Sequence, residues 1–134
     1  MPDAVTSQTL VDNQTQAIIL LTNISDGTGE SLVTKVNVAN LAANALGQAC
    51  TGVSIQKIHT ACHGMEFRLF WGASSNVFFF GSAQNSQYTF DFSNFGGLRN
   101  NAGAGKTGNI LLSTADQTAG DTYTVVLEMT KYYN

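Results

Sequence analysis

Apolar and polar side chains alternate with a period of two through most of this chain, and that rhythm constrains its fold more than any other feature. Tyr123, Val125, Leu127 and Met129 fall on one side, with Thr122, Thr124, Glu128 and Thr130 on the other. Only an extended backbone places residues i and i+2 on the same side, so such a run is a strand with one face buried. Met65, Phe67, Leu69 and Trp71 alternate with Glu66 and Arg68 in the same way. So do Tyr88, Phe90 and Phe92 with Thr89, Asp91 and Ser93, and Leu32, Thr34, Val36 and Val38 with Lys35 and Asn37. The phase assigns Trp71, Tyr88 and Tyr123 to the core.

Three shorter runs, Ala17 to Leu21, Val77 to Phe80 and Ile110 to Leu112, are apolar on both faces. They read as central strands, or as strands whose second side a neighbouring subunit covers. Val53 and Ile55 share a face, but Ile58 is out of phase with them; a β-bulge near Gln56-Lys57 explains the slip. A first strand at about Val5 to Val11 brings the count to eight or nine. Asp26-Gly27-Thr28-Gly29, Gly81-Ser82, Gly96-Gly97 and Gly120-Asp121 supply the turns between them. Asn40 to Gly47 suits one or two helical turns at about residues 41–46, with Asn40 as cap and Gly47 as stop. Asn94 to Gly108 is a long Gly- and Asn-rich loop, of a length that is usually functional, contact-making or disordered. Short strands at close spacing with a single proline predict an all-β fold, an antiparallel sandwich of jelly-roll type. At 134 residues the chain reads as a single domain, 1–134, with residues 1–11 as an N-terminal arm or edge strand.

Charged residues make up only 11% of the chain, against about 25% in an average soluble domain. The polar surface is therefore Thr, Ser, Asn, Gln and Gly, which is inexpensive to bury in a lasting contact. The basic residues Lys35, Lys57, Arg68, Arg99, Lys106 and Lys131 are scattered, so no patch forms that would release counterions from a phosphate backbone. No nucleic acid is expected as a partner. The longest apolar run is far short of the roughly 20 residues of a membrane helix, and Met1-Pro2-Asp3-Ala4 does not begin a secretory signal, so no membrane partner is expected either.

Candidate chemistry is sparse. Gly103-Ala104-Gly105-Lys106-Thr107 evokes a phosphate loop, but Asn100 stands where that motif needs glycine, and a strand rather than a helix follows. Cys50, His59, Cys62 and His63 fail as a zinc set: in a strand Cys62 faces away from His59 and His63. The cysteines read as buried or partly buried thiols, and a reducing compartment disfavours a Cys50–Cys62 bond without deciding it. Glu66 and Glu128 are candidate acid and base only if their strands bring the carboxylates to about 5–9 Å. No nucleophile elbow is present. The expectation is a chain without catalytic, cofactor-binding or metal-binding residues, whose terminal Tyr132 and Tyr133 touch a partner.

Four stretches resemble a family of small structural proteins of tailed bacteriophages, notably those of marine and cyanobacterial hosts. They are Gln8 to Asn13, Thr22 to Ser31, Phe95 to Gly103 and Gly120 to Glu128. The resemblance implies a virion component without enzymatic activity, assembled in the host cytoplasm. Small sandwich proteins of this kind serve phage heads as cement or decoration, or sit on the tail; the first expectation is a capsid decoration or cement protein that binds copies of itself, as a trimer or other homo-oligomer, and the major capsid protein or another virion protein. Val5, Leu10, Phe95, Leu98, Arg99, Lys106, Tyr132 and Tyr133 are the expected contact residues. A tail or adhesion component that binds carbohydrate is the second expectation, and a small sandwich hydrolase using Glu66 and Glu128 the third.

Overall fold

The computed structural model describes residues 4–82 and 84–133. They form nine strands: β1 (Ala4–Asp12), β2 (Gln16–Ile24), β3 (Val33–Val36), β4 (Gly52–His63), β5 (Glu66–Trp71), β6 (Val77–Gly81), β7 (Gln87–Asp91), β8 (Ile110–Ala115) and β9 (Thr122–Tyr132). A five-stranded sheet has the order β1-β2-β9-β4-β7, and a four-stranded sheet the order β3-β8-β5-β6. All pairings are antiparallel. The pairs are nested: β2 lies beside β9, β3 beside β8, β4 beside β7 and β5 beside β6. The strands thus pair inward from both ends of the chain, as in one long hairpin rolled over into two layers. The fold is an all-β sandwich, as the alternation requires.

The predicted inner faces meet in the core. Phe67, Leu69, Trp71, Val125, Leu127 and Met129 have no solvent exposure. Phe67 and Tyr123 join the layers, their ring centroids 5.7 Å apart, a contact worth roughly 1 kcal/mol beyond its buried area. The slip foreseen at Gln56-Lys57 is a bulge: Ile55 pairs with Met129 and Lys57 with Glu128, leaving Gln56 unpaired in the ladder. Ile55 and Ile58 are consequently both fully buried. At His63–Gly64 the chain leaves one sheet for the other. Gly64 has φ +78°, and a Cβ there would lie 2.2 Å from a carboxylate oxygen of Asp121, so only glycine makes that corner.

Four expectations are corrected. No helix forms at 41–46; the helical elements are single 3₁₀ turns at Val38–Asn40 and Ser93–Phe95. An isolated turn is costly to nucleate, and side chains claim the backbone here. Asp12 accepts from Ala42 N–H, Gln14 from Ala45 N–H, and Asn44 from Leu46 N–H and Gln48 N–H. Val77–Gly81 is an edge strand, not a central one. In the Leu32–Val38 run only Val36 and Val38 are buried; Leu32 takes φ +47° and stays exposed, and a bulge separates Thr34 from Val36. Tyr88 is in phase with the core face, yet 47% of it remains exposed.

Candidate interaction surface

The reason Tyr88 stays exposed creates the most conspicuous surface of the molecule. β7 ends the five-stranded sheet, and β6 ends the four-stranded one on the same side. Ile58 pairs with Phe90 and Thr60 with Tyr88, and both partners on β4 are buried. Tyr88 and Phe90 therefore point to the inner face, but the opposite layer stops at β6 and only partly covers them. Phe90 meets Phe80 of β6 edge to face at 5.2 Å. From Phe90 the rings continue to Tyr88 on one side (5.5 Å) and Phe92 on the other (6.3 Å), and Phe92 meets Phe95 at 6.0 Å. Phe95 is 67% exposed and Phe90 38%. A contiguous aromatic strip thus opens to solvent along one side of the sandwich. Such patches on a folded protein mark contact sites.

The expected contact residues divide among three places. Val5 and Leu10 are exposed on the edge strand β1. Residues 4–12 form that paired edge strand rather than a free arm, and residues 1–3 of the expected arm lie outside the described residues. Phe95 ends the aromatic strip. Arg99, Lys106 and Tyr132 come together with Thr51 and Asn100 around a cleft of about 500 Å³. Leu98 is held inward, bridged to Ile55 by N–H···O bonds of 3.0 and 2.7 Å. Tyr133 is half-buried, and its hydroxyl donates to the carbonyl of Gln14 at 2.5 Å.

The Asn94–Gly108 loop is similarly tied down. Beyond the Leu98 bridge, Ser74 N–H donates to the carbonyl of Ala104, and Thr107 N–H to that of Gly72. These anchors hold Arg99 and Lys106 over the cleft.

Glu66 and Glu128 are not brought together. They lie on different sheets, each on an outer face: Glu66 pairs with Arg68 at 2.8 Å, and Glu128 with Nε2 of His59 at 2.5 Å. Cys50 and Cys62 are separate, buried thiols. Burial pushes the Cys62 thiol up in pKa; a hydrogen bond with Ser82 partly offsets this, and the nearby Glu66 carboxylate adds to it. His59 and His63 face outward while Cys62 faces in, and no group of three or more metal-ligating residues converges among the described residues. Among the described residues no helix is long and apolar enough to cross a membrane.

The alternation missed the aromatic strip because it reports the side a residue faces, not whether the facing layer reaches that far. Tyr88, Phe90 and Phe92 read as core for that reason, whereas Phe80 is core. No protein-family model, no curated protein and no solved structure matches this chain.

Proposed function

We propose that this chain is a structural subunit of a bacteriophage virion that works through contact, as a capsid decoration or cement protein of jelly-roll type. The observation that carries the reading is the open aromatic strip from Tyr88 to Phe95 on a chain with only 11% charged residues. Uncovered rings with few hydrated charges around them gain from burial against another protein surface. Further support comes from the nested pairing of β2 with β9 through β5 with β6, the arrangement of two Greek keys in a jelly roll. Many weak contacts repeated over a shell would add up to strong retention of neighbouring subunits. The test is electron microscopy of the parent particle carrying a labelled chain. Density at repeated positions on the head is expected; a chain confined to the tail, or missing from the particle, overturns the reading.

The cleft favours a second reading, a tail or adhesion component that binds carbohydrate. Tyr132 contributes an aromatic side chain there, while Arg99, Asn100, Lys106 and Thr51 offer hydrogen-bonding groups, the combination by which a site holds and orients a polar ligand. A glycan array with the purified chain decides: reproducible hits lost on Tyr132→Ala support it, and an empty array excludes it.

A further inference from the structure

Among the described residues the sandwich has four free strand edges: β1 and β7 in one sheet, β3 and β6 in the other. Three are interrupted. β1 carries a bulge between Thr9 and Val11, β3 one between Thr34 and Val36, and the β6 ladder slips between Leu69 and Phe70. Bulges of this kind guard edges against unwanted pairing. β7 has no such guard. Its register with β4 runs unbroken from Gln87 to Asp91, it holds neither lysine nor proline, and all five residues are exposed.

The register also fixes which backbone groups remain free. Ser86 C=O accepts from Cys62 N–H at one end of the ladder, and Phe92 N–H donates to Gln56 C=O at the other. Antiparallel bonding alternates, so Tyr88 and Phe90 turn their backbone groups toward β4. Gln87, Thr89 and Asp91 then point theirs outward, an odd-numbered row centred on Thr89.

We infer that β7 is a self-pairing edge: two copies of this chain join β7 to β7, antiparallel, about a two-fold axis through Thr89. In this register Thr89 faces Thr89 of the second copy, and Gln87 faces Asp91, so the outward row is satisfied by its own image, as an isologous contact requires. The two like charges at Asp91 sit at opposite ends of the contact, each beside a neutral amide. Tyr88 of one copy lies across from Phe90 of the other on the inner face, and the two aromatic strips cover each other. One operation thus meets both unsatisfied features of this side, the free backbone and the uncovered rings. The pairing deepens the contact reading by naming a partner, but it is measured in solution without any particle, so its failure and that of the virion reading are separately visible.

The experiment is analytical ultracentrifugation of the full chain and three variants through the micromolar range. The unaltered chain is expected to dimerise. Thr89→Pro removes the central outward N–H, which the monomer does not use, and should give a monomer with unchanged circular dichroism. Gln87→Asp places a carboxylate opposite Asp91 twice per dimer and should weaken association roughly tenfold, whereas Gln87→Lys should strengthen it by a similar factor. A monomeric unaltered chain, a closed trimer, a Thr89→Pro dimer, or Gln87 variants that shift association in the same direction would each overturn the inference.

Discussion

Phe80 and Phe90 meet edge to face across the gap between the two sheets, their centroids 5.2 Å apart. Phe80 is the inner partner, only 8% exposed and packed also on Phe67 at 6.1 Å; Phe90 is the outer one. This contact marks where the core ends and the interaction surface begins. Side chains a few ångströms apart therefore answer to different demands, which mutation separates.

Phe80→Ala should cost about 3 kcal/mol, because it opens a cavity against Phe67 that the surroundings only partly fill. Phe95→Ser, at the exposed end of the same strip, should change stability by less than about 0.5 kcal/mol. Thermal melts of the two variants check the contrast, and retention of Phe95→Ser on heads, if undiminished, would remove Phe95 from the contact.

Glu30 is a buried carboxylate with a structural task. One of its oxygens accepts from Tyr123 Oη at 2.6 Å and Asn23 Nδ2 at 2.7 Å, and the other pairs with Lys35, both side chains being almost fully buried. Removing one partner of such a pair strands the other in low dielectric, so Glu30→Ala should cost about 3–5 kcal/mol. Glu30→Gln retains an acceptor for Tyr123 and should cost less. Urea denaturation of both variants measures the difference.

Two glycines separate backbone strain from steric conflict. Gly96 and Gly64 both have positive φ, but a Cβ at Gly96 meets open space, while one at Gly64 collides with Asp121. Gly96→Ala should therefore cost only the left-handed penalty of about 1–2 kcal/mol. Gly64→Ala should cost clearly more, and equal losses in a denaturant titration would show that Asp121 yields.

Asp91 predicts a pH effect. The hydroxyl of Ser93 (2.5 Å) and then its backbone N–H (2.9 Å) hold this carboxylate below its ordinary pKa, with a smaller contribution from Lys57. The folded value lies below the unfolded one, so the stabilisation is fully present above the ordinary carboxylate range and is lost as pH falls through the depressed folded value. Carbon-detected NMR titration should place Asp91 low, and Ser93→Ala should move it back up. An unmoved value in that variant would assign the shift elsewhere.

Residues whose environment is set by their own strand and its nearest partners were legible from the chain. The inner face of β5, the inner face of β9 and the bulge at Gln56-Lys57 follow from alternation, since a slip of one residue would expose an entire apolar set. The 41–46 segment was misread because its competitors, Asp12 and Gln14, are remote in sequence and act only once β1 is in place. For the contact residues, the sequence suggested Arg99, Lys106 and Tyr132 one at a time; the fold grouped them around one cleft and left Tyr133 and Leu98 half-buried.

By itself, then, the sequence determined which side of the long, regular strands such as β5 and β9 is greasy, and with it a two-layer β fold. The order of strands across each sheet was decided by tertiary structure alone, and with it which greasy faces end up covered. Alternation is local information, whereas coverage depends on where the opposite layer stops. β7 carries as regular a pattern as β9, but it lies at the margin, and its rings therefore form surface.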